Sequence, residues 1–517
     1  MLLLIKITAM KSNRQSYLVL AIGAILMLFS NGRWIIPLAT WVSPIFFLRF
    51  MRLQKPWKGF LLVALSMAIV NTITWWKIIP APPRVYFFTT ALIMQVFALC
   101  FLADRLLATR VNRIFSTLVF PVMWCTTEYL SSLNPTKASW TSLAYTQAGN
   151  LPLMQLTAIT GIWGISFLIT WFASIVNWIW AKNFSWNEFR KEAITFVCVA
   201  GGIFLFGTLR LNLSASSTRS IRTASIVQAR NITADLKTCK WTDANGLNKY
   251  HNEIEDNLLE KTQQAARAGA KMILWQECAG TIPKNEEKKF IERATTLAAQ
   301  EKIYLLMTLW SVPDDFPKHL VENKMVIIDQ DGQIQFVYVK NNPVPGAEPI
   351  MKGITPMPLL KTLYGNIAAA ICYDGDFPNF IRTAGKNKTE VMFLPANDWK
   401  NIDPIHTNMA IIRAIENGFS LVHPAGQGLS VATDSRGRII SSMDYFNSDE
   451  QIMYADVPAQ YSFTLYPLTG DVFAWLCIAG SVIFLLAVVF KIYYLRAKAS
   501  YAGGDSNPTM KTSPDLG

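Results

Sequence analysis

The chain has 517 residues, of which 51% are hydrophobic, with 30 phenylalanines and 17 tryptophans. This composition is too apolar for one ordinary soluble domain. The formal net charge of +13 is not accompanied by any nucleic-acid recognition motif, and much of the excess lies in short loops beside apolar segments, so we expect anionic lipid headgroups and no nucleic acid as its partner.

Apolar residues concentrate before residue 212 and again near the C-terminus. A membrane-spanning helix needs roughly 20 mainly apolar residues, and we predict eight spans, seven before the central block and one after it. Two prolines, Pro37 and Pro44, interrupt the second segment, so the first two could instead form one re-entrant hairpin. The predicted spans are Tyr17–Ser30, Trp34–Phe50, Phe60–Trp76, Tyr86–Ala103, Phe115–Leu130, Leu156–Ala181, Ile194–Leu209 and Val472–Phe490.

Basic residues occur in every second loop between these segments. Because cytoplasmic loops are enriched in Lys and Arg, both termini are predicted to lie in the cytoplasm and the central block on the outer side of the membrane. We therefore expect a membrane domain over residues 1–212, an extracytoplasmic domain over 213–462, a linker and eighth span over 463–495, and a disordered cytoplasmic tail over 496–517. The basic loops hold Lys6, Lys11 and Arg14; Arg49, Arg52, Lys55 and Lys58; Arg105, Arg110 and Arg113; Lys182, Arg190 and Lys191; and Lys491, Arg496 and Lys498.

The seven cysteines have no regular spacing, so they do not predict a disulfide framework, although a Cys239–Cys278 pair remains open. The four histidines lack the close spacing of a zinc site. We expect neither a metal nor another cofactor.

The central block alternates strand and helix patterns, which predicts an α/β layered sandwich. An Asp-Gly pair at Asp331 and Gly332 predicts a hairpin. The predicted strands are Arg222–Gln228, Lys271–Gln276, Ile303–Leu309, Met325–Asp329, Gln333–Val339, Asn366–Ile371, Glu390–Leu394, Leu421–Pro424, Leu429–Thr433 and Arg438–Ser441; the predicted helices are Tyr250–Ala268, Glu286–Gln300, Asp376–Thr383 and Ile405–Asn417.

Three chemically active side chains, Glu277, Lys340 and Cys372, each follow a predicted strand. Strand ends at one edge of an α/β sheet are where sites gather. A thiol can act as nucleophile, a carboxylate can take its proton, and an ammonium can stabilise an oxyanion, with backbone N–H groups of the turn after Cys372 as further donors. Each residue alone also has a purely structural explanation: a buried cysteine, a solvated strand end and a charge on a hairpin edge.

The surrounding motifs favour the chemical interpretation. They read W-Q-E-C-A around Glu277, Y-V-K-N-N-P-V-P-G-A-E from Tyr338 to Glu348, I-C-Y-D around Cys372, N-D-W at Asn397–Trp399, H-x-x-M-x-x-x-R-A-I-E-N-G from His406 to Gly418, and T-x-Y-x-x-x-G-D from Thr464 to Asp471. The central block thereby resembles the nitrilase (carbon–nitrogen hydrolase) superfamily. With seven apolar segments before it and one after it, the chain resembles the apolipoprotein N-acyltransferase family.

This resemblance implies a four-layer αββα sandwich inserted into a multi-pass helical membrane domain. It implies that Cys372 is the nucleophile, Glu277 the general base and Lys340 the oxyanion stabiliser. The supporting positions it marks are Glu348 as a second carboxylate, Tyr373 in the acyl pocket, Asp374 in the turn after the nucleophile, and Trp241 on a mobile lid.

The implied reaction moves a fatty acyl chain from a phospholipid, through a cysteine thioester, to the N-terminal amine of a diacylglyceryl-cysteine lipoprotein or its N-terminal peptide. The implied location is the bacterial cytoplasmic (inner) membrane, with the catalytic domain on its periplasmic side. Two alternatives remain: a membrane-anchored amidase or hydrolase with the same triad, and a transporter or receptor that uses an inactive nitrilase fold as a sensor.

Several positions depart from the family pattern. Gln276 and Cys278 replace the usual Pro and Thr beside the base, and Asp374 stands where Glu is common. Asn342-Pro343 replaces a His-Leu pair, and Gly346-Ala347 replaces Phe-Gly. These changes keep the triad and alter its walls, so they bear on the substrate more than on the reaction class. Cys278 is best explained as a small packing residue.

Overall fold

The computed structural model describes residues 13–213, 219–228, 244–316, 318–449 and 451–502. Each predicted span overlaps a helix. Five of the described helical segments are long and apolar enough to cross a membrane: Pro56–Thr74, Pro83–Arg110, Trp163–Ala181, Trp186–Asn212 and Val472–Phe490. The helices of the N-terminal region are α1 (Asn13–Met27), α2 (Pro37–Leu53), α3 (Pro56–Thr74), α4 (Pro83–Leu107), α5 (Arg113–Ser132), α6 (Trp163–Ala181) and α7 (Trp186–Asn212).

The first two helices are separate and pack against each other. Their 15 and 17 described residues fall short of the length a straight span needs, and Pro44 lies inside α2. Whether each crosses the membrane therefore stays a prediction.

The helical bundle has an apolar exterior, and a buried carboxylate inside it has polar partners. Leu38, Phe88 and Val197 are among the exposed large side chains. Glu128, by contrast, is buried and accepts hydrogen bonds from Ser142, Ser166 and Trp124 at 2.6–3.0 Å. Buried polar groups inside and apolar groups outside suit a lipid environment, where no water can replace a missing partner.

Two β-sheets form the centre of the outer block. In one the strand order is β15-β1-β2-β4-β5-β6, with β3 paired to β4, and in the other it is β14-β13-β11-β9-β8-β7. The neighbours β1, β2 and β4 are parallel, as are β8, β9 and β11. The strands are β1 (Ser220–Ile226), β2 (Met272–Trp275), β3 (Gly280–Pro283), β4 (Tyr304–Val312), β5 (Glu322–Ile328), β6 (Ile334–Val339), β7 (Leu359–Thr362), β8 (Gly365–Ala369), β9 (Val391–Phe393), β10 (Ala396–Asn397), β11 (Ser420–His423), β12 (Ala425–Gly426), β13 (Leu429–Thr433), β14 (Ile439–Asp444) and β15 (Ile452–Pro458).

Side chains alternate between the two faces of each sheet. Leu274 on β2 faces the apolar layer between the sheets, where it joins Phe393, whereas its neighbour Ile273 packs under the outer helices. The outer helices are α8 (Ala244–Arg267) and α9 (Glu287–Glu301); those on the other side are α10 (Pro378–Lys386) and α11 (Ile405–Asn417), and α12 (Val472–Ala502) follows the sandwich. The predicted αββα sandwich is confirmed.

One boundary near Cys372 differs from the prediction. The helix expected from Asp376 begins at Pro378, because residues Cys372–Asp376 form a separate 3₁₀ turn and a proline suits the first helical position. The turn that begins at Cys372 is therefore a separate element from α10.

A single apolar cluster continues from the second sheet through α11 into the helical bundle. Met409 and Ile412 of α11 belong to it together with Leu143 and Ile162 of the N-terminal region. A polar contact crosses the same junction, since Arg413 of α11 donates to the Tyr145 hydroxyl at 2.5 Å. Within α11, Arg413 also lies 2.6 Å from Glu416. The sandwich is thus packed firmly on the bundle.

This junction leads to a stability prediction. Arg413→Ala leaves Glu416 buried without its cation, and we expect the free energy of unfolding to fall by about 3–5 kcal/mol. Thermal unfolding of the detergent-solubilised protein measures the change. Lys302→Ala is the control, because Lys302 pairs with Asp331 on the exposed surface, where a pair contributes about 0–1 kcal/mol. Equal shifts for the two variants would contradict the anchoring role.

Candidate active site

The structure brings the three predicted catalytic side chains and Glu348 into one buried cluster. Lys340 follows β6, and its Nζ lies 2.8 Å from Glu277 Oε1 and 2.8 Å from Glu348 Oε1. Lys340 and Glu277 are 0% and 1% exposed. One ammonium is thus held between two carboxylates, a geometry that fixes all three side chains.

Two asparagines that the sequence analysis did not single out orient Glu277. The side-chain amide of Asn323 donates to Oε1 at 2.7 Å, and the backbone N–H of Asn397 donates to Oε2 at 2.8 Å. Asn397 lies in the N-D-W motif, whereas no sequence signal marked Asn323. Both oxygens of the carboxylate are therefore held in place.

Cys372 lies at a strained backbone position. Its φ is +48°, in the left-handed region that non-glycine residues rarely adopt, and the strain directs the thiol out of the turn. Its own N–H donates to the Pro395 carbonyl at 2.8 Å, and the Asp374 N–H donates to the Ile371 carbonyl at 3.0 Å. These two amides are engaged, contrary to the expectation that the turn's N–H groups face the oxyanion.

Burial and charge set the protonation states around the thiol. Burial, followed by the charge of Glu277, raises the pKa of Cys372 well above its usual range, and Lys340 opposes this shift. Burial by itself would lower the pKa of Lys340, but the neighbouring Cys372, Glu277 and Glu348 raise it well above its usual value. The thiol therefore needs a base to lose its proton, and Lys340 stays a cation.

The thiol faces a cavity of about 120 Å³ between the sandwich and the helical bundle. The sandwich contributes Cys372, Tyr373 and Trp399, and the bundle side contributes mainly apolar side chains. Trp399 also donates to the Lys77 carbonyl at 3.0 Å, across the junction. The bundle-side lining includes Trp75, Ile78, Ile79, Pro80, Ile93, Met94 and Trp140.

Two of the departures from the family pattern contact each other. Asp374 is fully buried, and one of its oxygens accepts from both the backbone N–H and the side chain of Asn342, at 2.8 and 2.9 Å. The other oxygen accepts from the Tyr338 hydroxyl at 2.7 Å. Burial raises the pKa of Asp374 to about 6, against the effect of Lys340 and these donors. Asp374 thus ties the turn to Asn342 and Tyr338 and does not line the cavity.

A further charged group lies beside Cys372. Among the described residues, donor atoms of Cys372, Asp398 and His406 come within 4.8 Å of one another, as a metal site would require. However, the two ring nitrogens of His406 face Asp398 at 2.7 Å and Asp376 at 3.2 Å. The imidazole therefore has no nitrogen lone pair to offer a metal. His406 and Asp398 lie within motifs of the sequence, which signalled their presence but not their contacts.

The remaining predicted positions have different outcomes. Trp241 and Cys239 lie outside the described residues, so the lid and the Cys239–Cys278 pair stay predictions. Cys278 is buried in an apolar cluster with Trp310, Val321 and Ile350, which agrees with a packing role.

Comparison with protein families decides the family. Residues 223–463 match the family described as carbon-nitrogen hydrolase, and residues 23–175 match the apolipoprotein N-acyltransferase N-terminal domain. The two matched ranges take in most of the chain, and the first includes the predicted catalytic residues Glu277, Lys340 and Cys372. The chain belongs to the apolipoprotein N-acyltransferase family. Its carbon–nitrogen hydrolase domain makes it an enzyme, and its apolar helices make it a membrane protein.

Individual relatives of the family agree with this membership. The apolipoprotein N-acyltransferase of Geobacter metallireducens is 26% identical over 399 residues, which cover 72% of this chain and 74% of the relative. That of Rickettsia typhi is 23% identical over 355 residues, covering 64% and 68%. Among solved structures, an amidase from Nesterenkonia sp. matches 48% of this chain and 93% of its own, with 20% identity and a TM-score of 0.36.

The contacts of Asp374 lead to a prediction for this site. Asp374→Ala leaves the buried Tyr338 hydroxyl and the Asn342 amides without an acceptor, and we expect it to lower the free energy of unfolding by about 2–4 kcal/mol. Thermal unfolding measures the effect. Asp331→Ala, on the exposed hairpin turn, is the control and leaves stability within about 0.5 kcal/mol. A tolerated Asp374→Ala would show that the turn is held by its backbone alone.

Proposed function

We propose that this enzyme transfers a fatty acyl group from a membrane phospholipid to the N-terminal amine of a diacylglyceryl-cysteine lipoprotein, through a thioester on Cys372. The main observation in support is the position of the thiol. It faces a largely apolar cavity between the sandwich and the helical bundle, and the Glu277–Lys340 pair lies within the same buried cluster. Such a place admits an ester with long acyl chains and does not require the chains to enter water.

In the first half-reaction Glu277 takes the proton of Cys372, and the thiolate attacks the ester carbonyl of the phospholipid. A C–S bond forms and the carbonyl oxygen becomes an oxyanion, which the Lys340 ammonium stabilises. When the C–O bond to the glycerol breaks, Glu277 returns its proton to the leaving oxygen. The products are lysophospholipid and an acyl-Cys372 thioester.

In the second half-reaction the neutral α-amine of the lipoprotein attacks the thioester carbonyl. Glu277 takes a proton from this nitrogen, Lys340 again stabilises the oxyanion, and the C–S bond breaks. The proton on Glu277 then returns to the sulfur. An N-acylated lipoprotein leaves and the enzyme regains its starting state, with no net redox change and with each proton accounted for.

The fixed geometry of Glu277 suits its role as proton acceptor and donor in both half-reactions. Lys340 and Asn323 hold one oxygen and the Asn397 amide holds the other, so the carboxylate is already oriented before each transfer. Glu348 accepts two hydrogen bonds from Lys340 at 2.8 and 2.9 Å and one from the Val344 backbone at 2.7 Å. We therefore assign to Glu348 the role of holding Lys340 in position. Tyr373 is assigned a place in the acyl pocket.

The proposed location is the bacterial cytoplasmic membrane, with both termini in the cytoplasm and the sandwich on the periplasmic side. The support is the alternation of basic and non-basic loops, including the basic residues that flank α2, α4 and α6. We propose the division into residues 1–212, 213–462, 463–495 and 496–517, although α12 continues across the last boundary to Ala502, so the first residues of the expected disordered tail are helical.

The acyl intermediate is directly testable. Incubation of the purified enzyme with phospholipid alone should raise its mass by one acyl group, and peptide mass spectrometry should place the group on Cys372. Glu277→Gln should slow the appearance of the adduct by about 10²–10⁴-fold, because the base is lost, and Cys278→Ala should leave it unchanged. Free fatty acid with no adduct and no N-acylated peptide would favour the hydrolase alternative, and full activity of Cys372→Ala would exclude Cys372 as nucleophile.

The topology is testable with a membrane-impermeant thiol reagent. In a Cys198→Ala background, which removes an exposed thiol, a cysteine replacing Lys302 on the sandwich should react from the outside. A cysteine replacing Ser185, in the exposed loop before α7, should react only after permeabilisation. The reverse labelling pattern would contradict the proposed orientation.

A further inference from the structure

His406 lies between two carboxylates next to the nucleophile and has no part in the steps above. Its Nδ1 is 2.7 Å from Asp398 Oδ1, and its Nε2 is 3.2 Å from Asp376 Oδ1. The side chains of all three residues are at most 3% exposed. A donor atom of each of His406 and Asp398 lies within 4.8 Å of the Cys372 sulfur. This charged group and the thiol therefore share one water-poor environment.

Both ring nitrogens of His406 face carboxylate oxygens, and so both carry protons. Burial would lower the pKa of His406, but the charges of Asp398 and Asp376 raise it well above its usual value. A ring without a free lone pair cannot take the proton of Cys372. His406 is therefore a cation and not a second base.

The position of the ring is fixed from both domains. Trp140, in the loop after α5, stacks on the imidazole with ring centres 5.8 Å apart and an angle of 16° between the planes. The Trp140 indole also donates to Asp376 at 2.7 Å, and the Ser139 hydroxyl donates to the Asp376 carbonyl at 2.8 Å. Since Asp376 ends the turn that begins with Cys372, these contacts connect the bundle loop, the imidazole and the turn of the thiol.

The balance of charge near Cys372 shows what this cation does. Lys340 already forms ion pairs with Glu277 and Glu348. Asp398 and Asp376 have only His406 as a cationic partner in the described part of the chain, and Asp398 Oδ2 has no hydrogen-bond donor there. Burial, Glu277 and then Asp398 are among the influences that oppose ionisation of Cys372. The other ring packed on His406, His423, is neutral, because burial and the His406 charge lower its pKa to about 4.

We propose that His406 is a positioning residue whose positive charge cancels the field of Asp398 and Asp376 at Cys372, and thereby permits the thiolate to form when Glu277 takes the proton. This inference rests on the proposed role of Cys372 as nucleophile. It adds a second cation to the site, and this cation acts on the thiol through two carboxylates.

The test measures the rate of Cys372 alkylation by iodoacetamide as a function of pH, read by peptide mass spectrometry in the full-length enzyme. His406→Gln leaves the two carboxylates uncompensated, and the midpoint of the profile should rise by about one to two pH units. Below the midpoint this shift is a loss of about 10- to 100-fold in rate. The matched control is His319→Gln, since His319 pairs with Asp315 on the exposed surface, and its profile should coincide with that of the parent.

Two further variants separate charge from structure. Asp398→Asn alone removes one opposing charge and should lower the midpoint, so it tests the proposal even if His406→Gln does not fold. The double variant His406→Gln/Asp398→Asn should recover at least half of the shift that His406→Gln causes. An unmoved midpoint in either single variant, or a double variant as impaired as His406→Gln, would overturn the inference.

The outcome is independent of the acyl-transfer proposal. Alkylation reports only the ionisation of the thiol, whereas the acyl adduct reports transfer from phospholipid. A shifted alkylation profile without any acyl adduct would contradict the proposed function and leave the proposed role of His406 standing. An acyl adduct on Cys372 together with an unshifted alkylation profile would contradict only the role of His406.

Discussion

The buried contact of Lys340 with Glu277 and Glu348 is the interaction on which the rest of the site depends. Removing an ammonium and two carboxylates from water is costly unless they meet at hydrogen-bonding distance with their remaining oxygens satisfied. Here they do, with Asn323, Asn397 and Val344 supplying the other donors. Because Lys340 and Glu277 are 63 positions apart and follow β6 and β2 of one sheet, the contact requires the strands of that sheet to be in register.

The junction with the helical bundle encloses the cavity that Cys372 lines. One apolar cluster runs from the second sheet through α11 into the bundle, and the cavity in front of Cys372 takes its walls from both domains. A soluble sandwich would have to draw a lipid out of the membrane. Packing the proposed nucleophile against membrane helices would remove that cost, and the hydrogen bond from the buried Arg413 to Tyr145 links the two domains.

Charge compensation recurs around the thiol. Lys340 balances the carboxylates of the base and its partner, and His406 balances Asp398 and Asp376. Asp374 is satisfied differently, by neutral donors from Asn342 and Tyr338. The shorter carboxylate at position 374 and the asparagine at 342 therefore form one local arrangement, which explains two departures from the family pattern together and leaves the triad unchanged.

The sequence by itself determined the layered sandwich and the apolar segments, and it predicted that Glu277, Lys340 and Cys372 lie at strand ends, because hydrophobic periodicity and strand ends are local properties of the chain. It correctly predicted α11 to the residue, and its motifs contained Asn397, Asp398 and His406. It did not predict that the Cys372 amide is used by Pro395, or that Trp140 and Ser139 reach Asp376 from more than 230 positions away. Only the tertiary structure decided those contacts, since they depend on how the bundle and the sandwich pack against each other, and no local pattern records that packing.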